Sequence, residues 1–305
     1  MENLRKFWKK KKVLITGHTG FKGSWLSIIL NFLNSKIYGY SLAPKKNSLF
    51  IKSKLKNYLT ENKYGDINNL GKLEKFIKKI KPEIIFHMAA QPLVLDSYKD
   101  PLNTFSTNVL GTVNLLEIIK KTNSIKSVVI ITTDKVYKID NKNKAYSEND
   151  ELGGYDPYSS SKVCAEIVVN SYIQSFFSKT KLKNKVATAR AGNVIGGGDF
   201  AKNRLVPDIL NAINNKKKLI IRNPMQIRPW QHVLDPLMGY LLLAEKQYNG
   251  KIKNLDNCWN FGPDKRNFKK VIEIVKFIKK KTKLEYKIKK NKNYNYKETE
   301  ILKLN

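Results

Sequence analysis

The sequence predicts an α/β protein: a doubly wound parallel sheet with a smaller, irregular α/β domain at its C-terminal end. Three observations carry this. Short β-branched runs alternate with stretches of helical length through residue 191. A glycine-rich turn sits at the first strand-to-helix junction, and the alternation fades as Gly and Pro thicken from Gly192 onward. Lys12 to Thr16 (KVLIT) reads as the first strand, Gly20 to Leu33 as a helix, Lys36 to Tyr40 as the second strand, and Leu70 to Ile80 as a further helix leading into the strand Glu83 to His87. The pattern then repeats, with a helix over Pro101 to Lys120, a strand Ser127 to Thr133, a helix over Pro157 to Phe177 and a strand Lys185 to Ala191. Parallel strands need helical crossovers of one hand, and the helices then cover both faces of the sheet. The expected division is a dinucleotide-binding domain over 1–191 and a second domain over 192–305, interleaved with the first. Asp140 to Lys144 and Lys289 to Tyr296 are polar and aperiodic and read as a solvated loop and a tail.

Composition removes several function classes. Of 58 basic residues only six are Arg and 52 are Lys, spread along the chain against 25 acidic residues for a formal charge of +33. With no Arg-rich or aromatic-interleaved block, this reads as Lys usage on solvated faces; polyanion attraction at low salt is the lesser reading, and no specific nucleic acid is expected. Two cysteines, Cys164 and Cys258, and three histidines without close ligand pairs argue against a disulfide framework and against a metal site. No apolar run reaches bilayer length, and Val13 to Thr16 is too short for a signal-peptide core, so a cytoplasmic protein is expected.

The junction Thr16-Gly17-His18-Thr19-Gly20-Phe21-Lys22-Gly23 is where glycine serves a tight turn, backbone approach to a pyrophosphate, and helix packing on the sheet. Pyrophosphate is expected on the amides from Thr19 to Lys22, with Lys22 as a counter-charge, and Phe21 capping or packing. The second strand ends in Tyr40-Ser41-Leu42 without a carboxylate for a ribose diol, and Lys45 and Lys46 follow, so residues alone leave NAD and NADP open. Asp66, after the third strand in Gly65-Asp66-Ile67, is placed either to meet an adenine edge or to cap the next helix.

Tyr158 and Lys162 lie at i and i+4 of one helix, so both point the same way. The fifth strand ends in Thr132-Thr133-Asp134-Lys135, at the edge where ligands of this architecture bind. A nearby ammonium and a nicotinium charge would both favour the phenolate and are expected to depress the Tyr158 pKa toward neutrality.

Together TGHTGFKG, HMAAQ (87–91), NVLGTVNLLE (108–117), TTDKVY (132–137), YSSSK and RAGNVIGGGD (190–199) resemble the extended short-chain dehydrogenase/reductase superfamily, in its nucleotide-sugar dehydratase/epimerase branch. TDKVY, NVIGGGDF and RPWQHV (228–233) are most similar to the members that dehydrate CDP-glucose; the resemblance runs from Val13 to Gly262. It implies a Rossmann-type fold, bound NAD, and an internal redox cycle in which C4 of a hexose is oxidised, water leaves across C5 and C6, and C6 is reduced. Tyr158 would take the O4 proton beside Thr133, Lys162 would hold the nicotinamide ribose, and Asp134 with Lys135 would carry out the elimination. Epimerase-like relatives have small neutral residues in place of Asp-Lys, and the dTDP-glucose enzymes have Asp-Glu. For the cofactor, the resemblance implies Gly17, Thr19, Gly20, Phe21, Lys22, Gly23, Asp66, Ile67, Ala89, Ala90, Asn108, Thr132, Tyr158 and Lys162. For a nucleotide-sugar substrate such as CDP-glucose it implies Gln91, Asn193, Arg204, Arg228 and His232. Arg190, His87, His18 and Trp230 read as structural. The resemblance also implies a homodimer or homotetramer paired through the helices 101–120 and 157–177, and further residues after Glu298 to Asn305.

Overall fold

The computed structural model describes residues 2–139, 145–252, 257–289 and 301–305. The expected Asp140 to Lys144 loop, and all but the first residue of the expected tail, lie outside them. A first helix, α1 (Glu2–Trp8), buries Trp8 and leads into β1 (Lys12–Thr16), α2 (Phe21–Phe32), β2 (Lys36–Ser41), the single turn α3 (Leu49–Lys52), β3 (Glu61–Tyr64), α4 (Leu70–Ile80) and β4 (Ile84–His87). The next helical stretch is broken into α5 (Val94–Lys99), α6 (Pro101–Phe105) and α7 (Gly111–Lys120), with a π-helical turn between the last two. β5 (Ser127–Ile131), α8 (Pro157–Tyr172) and β6 (Val186–Ala191) complete the alternation.

Local chemistry sets these boundaries. The Asn69 side chain accepts from the Lys72 amide at the start of α4, Asp100 does the same for Asn103 ahead of Pro101, and Asp156 accepts from Ser159 ahead of Pro157. Along α4 the residues Leu73, Phe76, Ile77 and Ile80 form one buried stripe, each worth about 1.5–3 kcal/mol on full burial.

Beyond β6 the chain forms β7 (Val194–Ile195), α9 (Leu205–Asn214), β8 (Leu219–Ile221), β9 (Ile227–Pro229), β10 (Gln231–His232), α10 (Leu234–Tyr248), β11 (Cys258–Phe261), β12 (Phe268–Lys270), α11 (Val271–Lys279) and β13 (Tyr286–Ile288). The main sheet has seven parallel strands in the order β11-β6-β5-β4-β1-β2-β3. β11 pairs in parallel with β6, Cys258 opposite Thr188 and Phe261 opposite Ala191. The sequence pattern gives no sign of this seventh strand, because CWNF is too short to show a period. Together with α10 it returns residues 234–261 to the sheet, so the junction expected at 191/192 is crossed again.

One apolar core lies under α4, α7 and α8, and the second under α1, α2 and α10, where Leu237, Tyr240 and Leu241 meet Ile15, Ile131 and Ala191. A third cluster joins α9, β8 and α11 in the smaller lobe, and Leu304 packs with Val136, Tyr137 and Tyr146. No described helix is long and apolar enough to cross a membrane.

Candidate active site

The strand order reverses between β1 and β4, and the residues singled out from the sequence gather at the carboxyl ends of β1, β4, β5 and β6. Gly17 follows β1 at φ +76°, and a Cβ there would sit 2.7 Å from the Ala89 amide nitrogen and from the Met88 carbonyl. The loop after β4 therefore lies directly against the turn. Gly20 caps α2 without a side chain, and a Cβ on Gly23 would collide with the Gly17 carbonyl. The first amides of α2 thus open onto a turn kept clear of side chains, the arrangement a pyrophosphate requires. Thr19 shares a hydrogen bond with Ser41 at 2.7 Å and donates to the Leu42 carbonyl, tying the turn to the end of β2. Asp66 accepts from the Asn68 amide and stands exposed, while Asn69 is the actual cap of α4. Ile67 is buried against Gly111. Asn108 links the Gln91 backbone to the Ser161 hydroxyl, fastening the β4 loop to α8.

Tyr158 and Lys162 are both buried in α8. Lys162 donates to the Ile131 carbonyl at 3.0 Å, and burial, reinforced by the like charge of Lys22, lowers its pKa to about 8. Burial pushes the Tyr158 pKa up to about 12, with Asp134 and Asp156 adding to the rise and the neighbouring Thr133 hydroxyl and Arg204 opposing it. In the chain alone the shift therefore runs opposite to the depression expected of the neighbouring ammonium. The charge expected to stabilise the phenolate is itself desolvated and bonded to a carbonyl, so nothing in the chain outweighs burial of the phenol.

Thr133 donates to Oδ1 of Asp134 at 3.1 Å. Oδ2 of Asp134 is buried with no hydrogen-bonding partner among the described residues and lies against Gly192. Burial raises the Asp134 pKa, opposed in order by Lys135, Thr133, Arg228 and Lys22. The carboxyl is thus biased toward its protonated form while sitting among cations. Lys22 reaches this group from α2: burial lowers its pKa to about 8, with Arg204 adding to the fall and Asp134 opposing it.

The Thr132 hydroxyl donates to Glu166 at 2.5 Å. Glu166 also accepts from the Thr188 hydroxyl at 2.6 Å and from Nε and an Nη of Arg190, both at 3.1 Å, in a bidentate pair. Arg190 is structural, as expected, and Glu166 is the partner that sequence did not identify.

Gln91 uses both halves of its amide locally, donating to Leu93 and Thr104 and accepting from the Leu93 amide, so its side chain shapes the loop. Arg204 pairs with Asp199 at 3.0 Å. Arg228 is buried and donates to the Ile227 carbonyl and the Gln226 side chain. The Asn193 carbonyl accepts from the Gln231 amide, joining β7 to β10. His232 is exposed rather than buried, its Nδ1 accepts from the Leu234 amide at the start of α10, and its ring lies 6.5 Å from that of Trp25. Trp230 packs and donates to Lys269. His87, between Thr16 and Thr112, and His18, bonded to Asn62, are both buried. A cavity of about 350 Å³ in the smaller lobe, lined in part by Asn203, Asp208, Lys217 and Arg222, includes none of the sequence-predicted site residues.

Known proteins place this geometry. The chain is 51% identical over 277 residues to the CDP-glucose 4,6-dehydratase of Salmonella typhimurium, covering 89% of this chain and 76% of that one. It is 31% identical over 261 residues to the dTDP-D-glucose 4,6-dehydratase of Dictyostelium discoideum, covering 80% and 58%. The fold matches that of a dTDP-glucose 4,6-dehydratase from Bacillus anthracis crystallised with NAD, at TM-score 0.79 and 24% identity over 97% of this chain and 87% of that one. The family model described as NAD dependent epimerase/dehydratase matches residues 13–258, and the chain belongs to that family.

Proposed function

We propose that this chain is a NAD-dependent hydro-lyase that converts CDP-glucose to CDP-4-keto-6-deoxyglucose. The observation that carries the reading is the Thr133-Asp134-Lys135 segment beside Tyr158, with a buried Asp134 carboxyl held toward its acid form. The identity of 51% to a CDP-glucose 4,6-dehydratase supports the choice of nucleotide. The glycine turn, clear of side chains and opening onto uncapped helix amides, fits a dinucleotide, with Gly17, Thr19, Gly20, Phe21, Lys22 and Gly23 beneath the pyrophosphate. When bound, NAD supplies the hydride acceptor for C4 and the hydride donor for C6.

The chain's own residues handle the protons. The positive charge of a bound nicotinamide ring would favour the Tyr158 phenolate that burial in the chain alone opposes; Tyr158 then accepts the O4 proton, with Thr133 beside it. A ketone at C4 acidifies C5, and Lys135 removes the C5 proton while Asp134 gives its proton to the hydroxyl departing from C6, which leaves as water. Lys135 returns its proton to C5 as C6 is reduced. The O4 proton held by Tyr158 balances the one spent by Asp134, and Thr133 touches both residues. Lys162 orients the cofactor ribose, and Arg204, Arg228 and Asn193 face the diphosphate, where a planar guanidinium suits two phosphate oxygens. Leu102, Leu110 and Ile167 are exposed along the helices 101–120 and 157–177, which supports pairing of two copies through that face.

Incubation with CDP-glucose and catalytic NAD should produce the alkaline absorbance of a 4-keto-6-deoxy sugar, with dTDP-glucose and GDP-mannose giving much less. Lys135→Ala should still oxidise C4, visible as reduced cofactor, yet release no water. Normal product from that variant would overturn the assignment.

A further inference from the structure

Tyr240 lies in α10, on the face of the sheet opposite α8, with no solvent exposure. Its ring meets Phe261 edge-on at 5.0 Å, which fixes the ring plane, and it packs with Ile131 and Ala191 at the ends of β5 and β6. A buried tyrosine ordinarily finds a partner for its hydroxyl. Among the described residues this one has none. The ionisable groups that act on it are Tyr158 and Asp134, and Asp134 carries its own buried oxygen without a partner, Oδ2. An unpaired donor and an unpaired acceptor, both enclosed, thus occur at the same end of the same two strands.

We propose that Tyr240 is a positioning residue for Asp134, its hydroxyl donating to Oδ2 through a single enclosed water. Thr133 already holds Oδ1. With both oxygens held, the carboxyl cannot turn about its terminal bond, and its dissociable proton stays directed at the leaving hydroxyl. A hydrogen bond to Oδ2 also stabilises the anion left after proton transfer. The other groups facing Asp134 are Lys135 in its own segment, Arg228 from β9 and Lys22 from α2, with Tyr158 nearby in α8. These remain in place when Tyr240 is changed. The inference rests on the proposed role of Asp134 as the acid of the elimination.

The test compares Tyr240→Phe with Asp134→Asn in single-turnover reactions with CDP-glucose and bound NAD, followed at the absorbance of reduced cofactor and by product release across pH. Tyr240→Phe should oxidise C4 at the native rate, hold reduced cofactor longer, and lose water roughly tenfold more slowly. The alkaline limb of the elimination step should move up by about one pH unit, because the acid loses a bond that stabilised its anion. Unchanged elimination and an unchanged pH profile in Tyr240→Phe, alongside blocked elimination in Asp134→Asn, would overturn the role of Tyr240 alone. A rise in melting temperature with that same unchanged profile would identify the hydroxyl as a purely structural defect and overturn it equally. Normal water loss in Asp134→Asn would remove the acid itself, and both readings with it.

Discussion

Replacing Arg190 by Met tests the buried pair that supports the catalytic strand end. The guanidinium is 3% exposed and gives two hydrogen bonds to Glu166, one to the Tyr137 hydroxyl and one to the Glu148 carbonyl. Arg190→Met leaves the Glu166 carboxylate enclosed with two hydroxyl donors, from Thr132 and Thr188. Breaking one side of such a pair costs about 3–5 kcal/mol, most of it the penalty of an uncompensated buried charge. Removing both charges in Arg190→Met/Glu166→Met should cost less than either single change. Thr132 and Thr188 have second acceptors in place, the Ala189 carbonyl at 3.5 Å and the Asn257 carbonyl at 3.3 Å. A double-mutant cycle by urea denaturation should therefore return a coupling of about 2–4 kcal/mol. Because Thr132 precedes Thr133, the single variants should also lose turnover more than substrate affinity. Additive effects within about 0.5 kcal/mol, or a loss below about 1 kcal/mol for Arg190→Met, would refute the reasoning.

Two further outcomes follow from geometry and burial. Gly17→Ala meets a left-handed backbone and three backbone atoms at 2.7 Å, which cannot swing aside as a side chain would. It should lose roughly 2–4 kcal/mol and bind NAD at least tenfold more weakly by calorimetric titration, and affinity within twofold of native would count against the cradle. His87 and His18 are held neutral, burial lowering their pKa values from 6.5 to about 3 and about 4; Lys162 adds to the fall at His87, while Asn62 and Tyr40 oppose it at His18. Between pH 6.5 and those values the unfolded chain binds protons that the folded chain refuses, so stability must fall as pH falls through this window. From pH 7 to 5 the two together should remove about 3–4 kcal/mol, about half of which should disappear in His87→Gln; a flat native profile would show that these rings take up protons in the fold.

The parts of the site legible in the sequence share one property. Each is a local pattern at a predicted strand end: the glycine turn after β1, Thr133-Asp134-Lys135 after β5, and Tyr158 with Lys162 one helical turn apart. Strand ends of a parallel sheet converge on one edge, so knowing the elements was enough to gather these residues. Side-chain direction was less accessible. Thr132 and Thr133 are neighbours, yet one bonds to Glu166 and the other to Asp134, because successive residues of an extended chain face opposite ways. Sequence assigned both to the site without distinguishing the directions of their hydroxyls. Glu166 and Tyr240 were missed because a buried carboxylate or phenol on a helix reads as an exposed charge or as ordinary core until its neighbours are known.

By itself the sequence determined the alternation of strands and helices through residue 191, the turn that glycine alone can form, and the chemical types assembled at the strand ends, since these depend on periodicity and backbone sterics within a few residues. Tertiary structure decided the rest: that β11 and α10 return to the sheet, that Arg190 is matched to Glu166, and that burial drives Tyr158 up and Lys162 down. Those outcomes depend on which groups are packed together and how much water is excluded between them, and both are set by contacts between residues far apart in the chain.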